Sequence, residues 1–440
     1  MAENINNLNL FSLLLNEKWL NIWESGNHID FNENFFVDST SHEEIKQAQR
    51  NVFIDFITDW IANFTRRDIN KFSLKISNPH SCGNTIESCV EFAAQRRVKD
   101  ITLDFSDNNN FNNNNNNNAL FPVPTQVYQI GSSLESLKLS SCSFNVLDFL
   151  SFDALRDLSL SRIRVNIKTL KTLLKICKTM DSLRLEKCWG MEDFDLGREP
   201  IWLTRLVIDK CEMDTEYDLT FNAPILKYFK YSGHVCYSYI KARQIEEVDI
   251  DFAQESRYNS EHGEAFCDVL GDLYRAKILT VCSYLLQVIP SVDQLDRVLR
   301  VKHLILNTQM HPKEIGGLKF LLDRCPLMEK LTMNIGSGGV IFEDYKPSYD
   351  LDIKKFWFCG GLFPRCLKRR LKVVEVNNSK ATESEFLTLG YFMHTGKVLE
   401  EININICNED DGLTETRYER ARTLKNNANR RFSHLQVSIY

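Results

Sequence analysis

Apolar residues recur along most of this chain in one six-residue pattern, apolar-x-x-apolar-x-apolar. It begins at Val98 (VKDITL), Leu134 (LESLKL), Leu155 (LRDLSL), Met180 (MDSLRL), Leu203 (LTRLVI), Leu226 (LKYFKY), Ile245 (IEEVDI), Ala276 (AKILTV), Val301 (VKHLIL), Met328 (MEKLTM), Leu371 (LKVVEV) and Leu399 (LEEINI). Alternation of apolar and polar positions predicts a half-buried strand in each copy. From Leu134 to Val301 seven intervals cover 167 residues, about 24 per repeat. Between strands the period turns helical in places, clearest at Ile167–Cys177 (IKTLKTLLKIC) and Lys313–Cys325 (KEIGGLKFLLDRC). A helix is also predicted from Ser41 to about Phe64, where Val52, Phe53, Phe56, Ile57, Trp60, Ile61 and Phe64 share helical spacing. Ser41-His-Glu-Glu44 reads as its capping box. Ile69-x-x-Phe72-x-Leu74 reads as a first, atypical strand.

Strand–loop–helix units at this period are the signature of leucine-rich repeats. One unit cannot bury its own apolar stripe, so the units stack. The expected fold class is α/β: a leucine-rich-repeat solenoid with a parallel sheet on the concave side, helices and loops on the convex side, and terminal caps. We divide the chain at 1–35, a helical cap at 36–66 on the open end of the solenoid, repeats at 67–354, and a C-terminal module at 355–440. Asn108–Asn118 is an asparagine run broken only by Phe111. It can bury too little apolar area to offset its ordering entropy, so residues 107–119 are expected to be a disordered loop. That insertion accounts for the longer step from Val98 to Leu134.

Residues between the inward positions should face out of the sheet. They are Ser136, Lys138, Asp157, Ser159, Arg184, Arg205, Val207, Tyr228, Lys230, Glu247, Asp249, His303, Ile305, Lys330 and Thr332. This stripe mixes both charge signs with Tyr and Ile, which suits protein recognition; a nucleic-acid groove would be uniformly basic. The candidate target-binding residues are Lys138, Ser159, Arg184, Arg205, Tyr228, Lys230, Asp249, His303 and Lys330.

The chain has 440 residues and a formal net charge of −6, too small to suggest a nucleic-acid partner. No run has the length of apolar residues that a membrane span needs. The start, MAENINNLNLF, has no basic segment followed by an apolar one, so no signal peptide is expected. Thirteen cysteines lie scattered without a C-x-x-C pair, which fits reduced thiols in the cytoplasm or nucleus. Cys142, Cys188 and Cys211 each fall three residues after the last apolar motif position, where a small residue turns the chain off the strand. His234 holds the same position in its repeat. No HExxH, Walker, G-x-S-x-G or kinase motif occurs, and no histidine sits at ligand spacing. Gly336-Ser-Gly-Gly339 lacks phosphate-loop spacing and reads as a turn. We therefore expect no catalytic residues, no metal and no cofactor. Two basic clusters, Arg365–Lys372 and Arg417–Arg431, read as solvated faces, with nuclear import or phosphate binding as the sharper alternative.

The two ends are specific enough to indicate a family. Pro364, Cys366, Leu367, Leu371, Val374, Glu375, Glu383, Glu385, Leu399 and Glu400 follow the pattern of the FBD module that closes plant F-box/leucine-rich-repeat proteins. Asn377-Asn-Ser-Lys380 departs from it, since that loop usually contains glycine. Thr382-Glu-Ser-Glu385 is a second capping box, and the module looks like a strand–helix–strand repeat that shields the last apolar edge. Cys325-Pro-Leu-Met-Glu-Lys-Leu331 is similar to the family's CPxLExL, and Ala223-Pro-Ile-Leu-Lys-Tyr228 to its APxLKY. Lys18-Trp-Leu-Asn-Ile-Trp23, followed by His28-Ile-Asp-Phe31, resembles the end of the F-box. The chain has eighteen residues before Trp19, asparagine-rich and without the Leu-Pro pair that opens a family F-box. Only Phe11–Trp23 corresponds to the domain's last helix.

The resemblance implies a target-recognition subunit of a Skp–cullin–F-box ubiquitin ligase. An unknown target protein would bind the repeats, and a Skp-type adaptor would contact Trp19, Leu20 and Trp23. The alternative is a stand-alone leucine-rich-repeat interaction protein that no longer binds the adaptor, with Trp19 and Trp23 docked on the first repeat.

Overall fold

The computed structural model describes residues 27–65, 69–107, 120–213, 218–252, 254–289, 297–337, 339–359, 363–409 and 411–440. The expected loop at 107–119 thus lies almost wholly outside the described residues. The chain forms two compact units, up to Met191 and from Glu192 onward.

In the first unit, six strands pair in parallel: β1 (His28–Asn32), β2 (Lys71–Lys75), β3 (Asp100–Asp104), β4 (Ser136–Ser140), β5 (Asp157–Ser161) and β6 (Ser182–Glu186). The register stacks Phe31, Leu74, Leu103, Leu139, Leu160 and Leu185 into one buried row. Helices α1 (Glu43–Asn63), α2 (Gly83–Gln95) and α3 (Ile167–Ile176) lie in the connections. The alternation read from the sequence is the cause of this layering: the first, fourth and sixth positions of all twelve motif copies are buried.

Three local readings change. His28-Ile-Asp-Phe31, matched above to the end of an F-box, forms strand β1 of the sheet. Helix α1, expected as an end cap, connects β1 to β2 and buries Phe53, Ile57 and Trp60. Trp60 meets Phe31 edge-on at 5.2 Å and Phe92 of α2 at 5.8 Å, so α1 is the helix of the first repeat. The capping box at Ser41 does not form. His42 is the N-cap, with no side-chain cap bond, and the Ser41 hydroxyl turns back to Asp38 at 3.4 Å.

The cysteine turns have a backbone cause. Ser141, Lys187 and Lys210 adopt the left-handed conformation (φ 55°, 51° and 52°), which aims the following residue, Cys142, Cys188 or Cys211, back into the core. Cys188 also donates its thiol to the Leu160 carbonyl at 3.3 Å. The parallel drawn for His234 fails. His234 is exposed, 3.3 Å from Glu255, and Cys236 is the buried residue of that turn.

The second unit has nine parallel strands: β8 (Arg205–Asp209), β10 (Tyr228–Ser232), β12 (Glu247–Asp251), β13 (Ile278–Val281), β14 (His303–Thr308), β15 (Lys330–Ile335), β16 (Val373–Ser379), β17 (Glu401–Ile406) and β18 (Gln436–Ile439). Its first connections are strands where helices were the general expectation. β7 (Phe194–Pro200), β9 (Asp218–Asn222) and β11 (Tyr237–Lys241) make a second parallel sheet. Beyond it come helices α4 (His262–Asp272), α5 (Ser283–Val288), α6 (Ile315–Arg324), α7 (Ile353–Cys359), α8 (Arg365–Arg369), α9 (Glu383–Thr395) and α10 (Thr414–Arg431). The FBD-like segment is the strand–helix–strand β16–α9–β17. Its capping box forms: the Glu385 amide donates to Thr382 Oγ1 at 3.3 Å, and the Thr382 amide donates to the Glu385 carboxylate at 3.2 Å. α10 and β18 then add one further unit.

Candidate functional site

The outward rows of these sheets are the candidate site. In the first unit the central row runs Asp30, Ser73, Thr102, Lys138, Ser159 and Arg184, one residue per strand. Lys138, Ser159 and Arg184 are therefore side by side, with Ser136, Ser140, Ser161 and Ser182 around them. This stretch is a hydroxyl-lined face set with two cations.

The second unit holds the other six candidates, and most of them spend their polar groups on each other. Arg205 lies over the Tyr228 ring, 3.7 Å from its centre. Lys230 pairs with Asp249 at 3.4 Å; burial pushes the Asp249 carboxyl above its ordinary value against the pull of that lysine. His303 shares a 2.9 Å hydrogen bond with Thr332, and Lys330 pairs with Glu375 at 2.7 Å. Burial, and then Lys330, hold the His303 imidazole below its ordinary value, which favours the neutral ring. Two residues expected on this face, Val207 and Thr332, are instead buried. Trp19, Leu20 and Trp23, the candidate adaptor contacts, lie outside the described residues.

Sequence reading missed a ladder of asparagines at one edge of the same face. Asn334 donates to Asn307 at 3.0 Å, Asn377 to Asn334 at 2.9 Å, and Asn405 to Asn377 at 2.6 Å, across β14 to β17. Every side-chain amide in the run points the same way, so each bond polarises the next. The signal was present: in these four consecutive repeats an asparagine follows the last apolar motif residue directly (LILN, LTMN, VEVN, ININ).

No group of three or more His, Cys, Asp or Glu side chains among the described residues is placed to hold a metal. No described helix is long and apolar enough to cross a membrane. The face is built to present paired charges, hydroxyls and amides in fixed register.

Comparison with known proteins agrees with the architecture. Residues 61–346 match the family model described as At1g61320/AtMIF1, LRR domain. The chain is 29% identical to the putative F-box/LRR-repeat protein At1g56400 of Arabidopsis thaliana over 87% of its own length and 81% of that protein's. It is 29% identical to the putative F-box protein At3g29830 of the same plant, over 96% and 92% of the two chains. It is 26% identical to F-box/LRR-repeat protein 25, also from Arabidopsis, over 51% of its own length and 77% of that protein's. The chain thus belongs to the At1g61320/AtMIF1 leucine-rich-repeat family and has plant F-box/LRR-repeat proteins as its homologues.

Proposed function

We propose that this protein is a target-recognition subunit of a Skp–cullin–F-box ubiquitin ligase, holding a target protein on the outward face of its repeats. The observation that carries the proposal is the likeness, over nearly the full chain, to proteins named as F-box and F-box/LRR-repeat proteins. The face supports it physically. Strands in a stacked sheet hold side chains at fixed spacing, so a partner meets a preordered surface and little entropy is lost on binding. On this reading the chain supplies recognition and no chemistry of its own; transfer to the target would follow from proximity. It would work in the cytoplasm or nucleus.

The test is capture of the full 440-residue chain by a purified Skp-type adaptor, beside Trp19→Ala/Trp23→Ala. Capture of the intact chain, lost in the variant, is the expected result. No capture of the intact chain would leave the alternative, a stand-alone leucine-rich-repeat interaction protein.

A further inference from the structure

Several ionic side chains at the turns that lead into the strands are paired across neighbouring repeats. A residue just before one strand meets its opposite on the neighbouring repeat: Lys99 with Glu135 at 2.7 Å, Lys277 with Glu246 at 2.8 Å, Lys302 with Glu329 at 3.5 Å and Lys372 with Glu400 at 2.7 Å. Helix α8, which leads into β16, carries a dense set of cations without such partners. Arg365, Lys368, Arg369 and the following Arg370 are all exposed, and none of the four has an ion pair among the described residues. Lys368 is set over the Phe363 ring, 4.9 Å from its centre. Arg365, Arg369 and Arg370 remain as open guanidinium groups.

This arrangement is unfavourable on its own. Arg365 and Arg369 are four residues apart on one helical face, where like charges repel. The run has no acidic residue from Arg365 to Lys372, although the whole chain carries a net charge of −6. The acid that packing brings towards it, Asp323 of α6, is held by Lys319 at 2.7 Å. The mounting is firm. Pro364, Cys366 and Leu367 are buried, and the Cys366 thiol donates to the Leu322 carbonyl at 3.2 Å. A rigid base that presents uncompensated like charge is a local conflict of the kind that functional surfaces carry.

We propose that Arg365, Arg369 and Arg370 form a docking point for an acidic segment of a partner protein, a stretch rich in Asp and Glu. This surface lies on the helix side of the repeats, and the proposal does not depend on adaptor binding. Charge complementarity sets the class of partner, and the planar guanidinium fork suits paired carboxylates.

The experiment is a fluorescence-anisotropy titration of a labelled decaglutamate peptide with the full chain. The test variant is Arg365→Gln/Arg369→Gln/Arg370→Gln. The control, Arg420→Gln/Arg422→Gln/Lys425→Gln on α10, removes as much charge elsewhere. Binding weakened at least about tenfold in the first variant, unchanged in the control, and falling with added salt is the expected result. Equal weakening in both variants, or no binding by the native chain, would overturn the proposal. So would preferential binding to phosphatidylserine vesicles or to single-stranded RNA at the same salt.

Discussion

Gly317 tests the packing of the second unit. It lies in α6 where that helix crosses α5, and a Cβ built on it would sit 2.2 Å from the Leu286 carbonyl oxygen and 2.5 Å from the Leu286 Cα. Both are backbone atoms, so no rotamer change relieves the clash. Ordinary carbon contacts are about 3.5–4.0 Å, so Gly317→Ala must separate the two helices by roughly 1 Å or more. Overpacking of this kind costs about 1–3 kcal/mol. Against it stands the helix propensity gained on replacing glycine by alanine, about 1 kcal/mol.

The clash should win, and Gly317→Ala should destabilise the chain by up to roughly 2 kcal/mol. Gly390 in α9 is the matched control. A Cβ there meets nothing within 4 Å, so Gly390→Ala should gain up to about 1 kcal/mol. Thermal and urea unfolding followed by circular dichroism gives both values; a stacked-repeat protein need not unfold in two states, so the variants are compared as midpoint shifts. Opposite signs are the expected outcome. A neutral or stabilised Gly317→Ala would refute the close helix approach, and with it the way α5 and α6 pack behind β13 to β15.

Thr382→Ala removes one side of the capping box at α9 and should cost about 1 kcal/mol in the same unfolding assay. His262, His303 and His311 are each held below their ordinary value, chiefly by burial. Such rings bind a proton more readily in the unfolded chain. Stability should therefore be full above about pH 6.5 and fall as pH drops through that value towards the lowered folded ones, and the fall should be shallower in His303→Gln. Burial pushes the Cys82 thiol up to about 11, and it is the least buried of the cysteines whose side chains are described. Thiol labelling with peptide mapping at pH 7 should modify Cys82 slowly, and buried cysteines such as Cys89, Cys282 and Cys325 only on unfolding. Asn334→Ala removes the ladder's bonds to Asn307 and Asn377 and should cost about 1–2 kcal/mol in the same unfolding assay.

The sheet was legible in the sequence because its cause is periodic. A residue that must be buried every second position leaves a trace that any single repeat shows, and twelve copies made the trace unambiguous. β1 and β18 were missed for the same reason. HIDFN has apolar residues at only two positions, and in LQVSI the place of the first apolar residue is taken by His434. Each is recognisable as a strand only beside its neighbour in the sheet. The parallel sheet of β7, β9 and β11 was hidden because FDLGREP, DLTFN and YSYIK each alternate for too short a run to outweigh a loop.

The face itself was half legible. Outward positions follow from alternation, and most named candidates lie where expected. Which of them are available to a partner does not follow from alternation, because it depends on the neighbour that register supplies. Lys230 and Lys138 are both lysines at the third position of a strand. One finds Asp249 across the ladder and the other finds Thr102 and Ser159. A partner that recruits Lys230 must displace an existing ion pair, whereas one that recruits Lys138 need only shed water. Alanine at Lys138 or Arg184 should therefore weaken target binding more than alanine at Lys230, once a target is in hand to titrate. Equal losses at all three sites would mean that the partner reads the whole stripe and not its open cations.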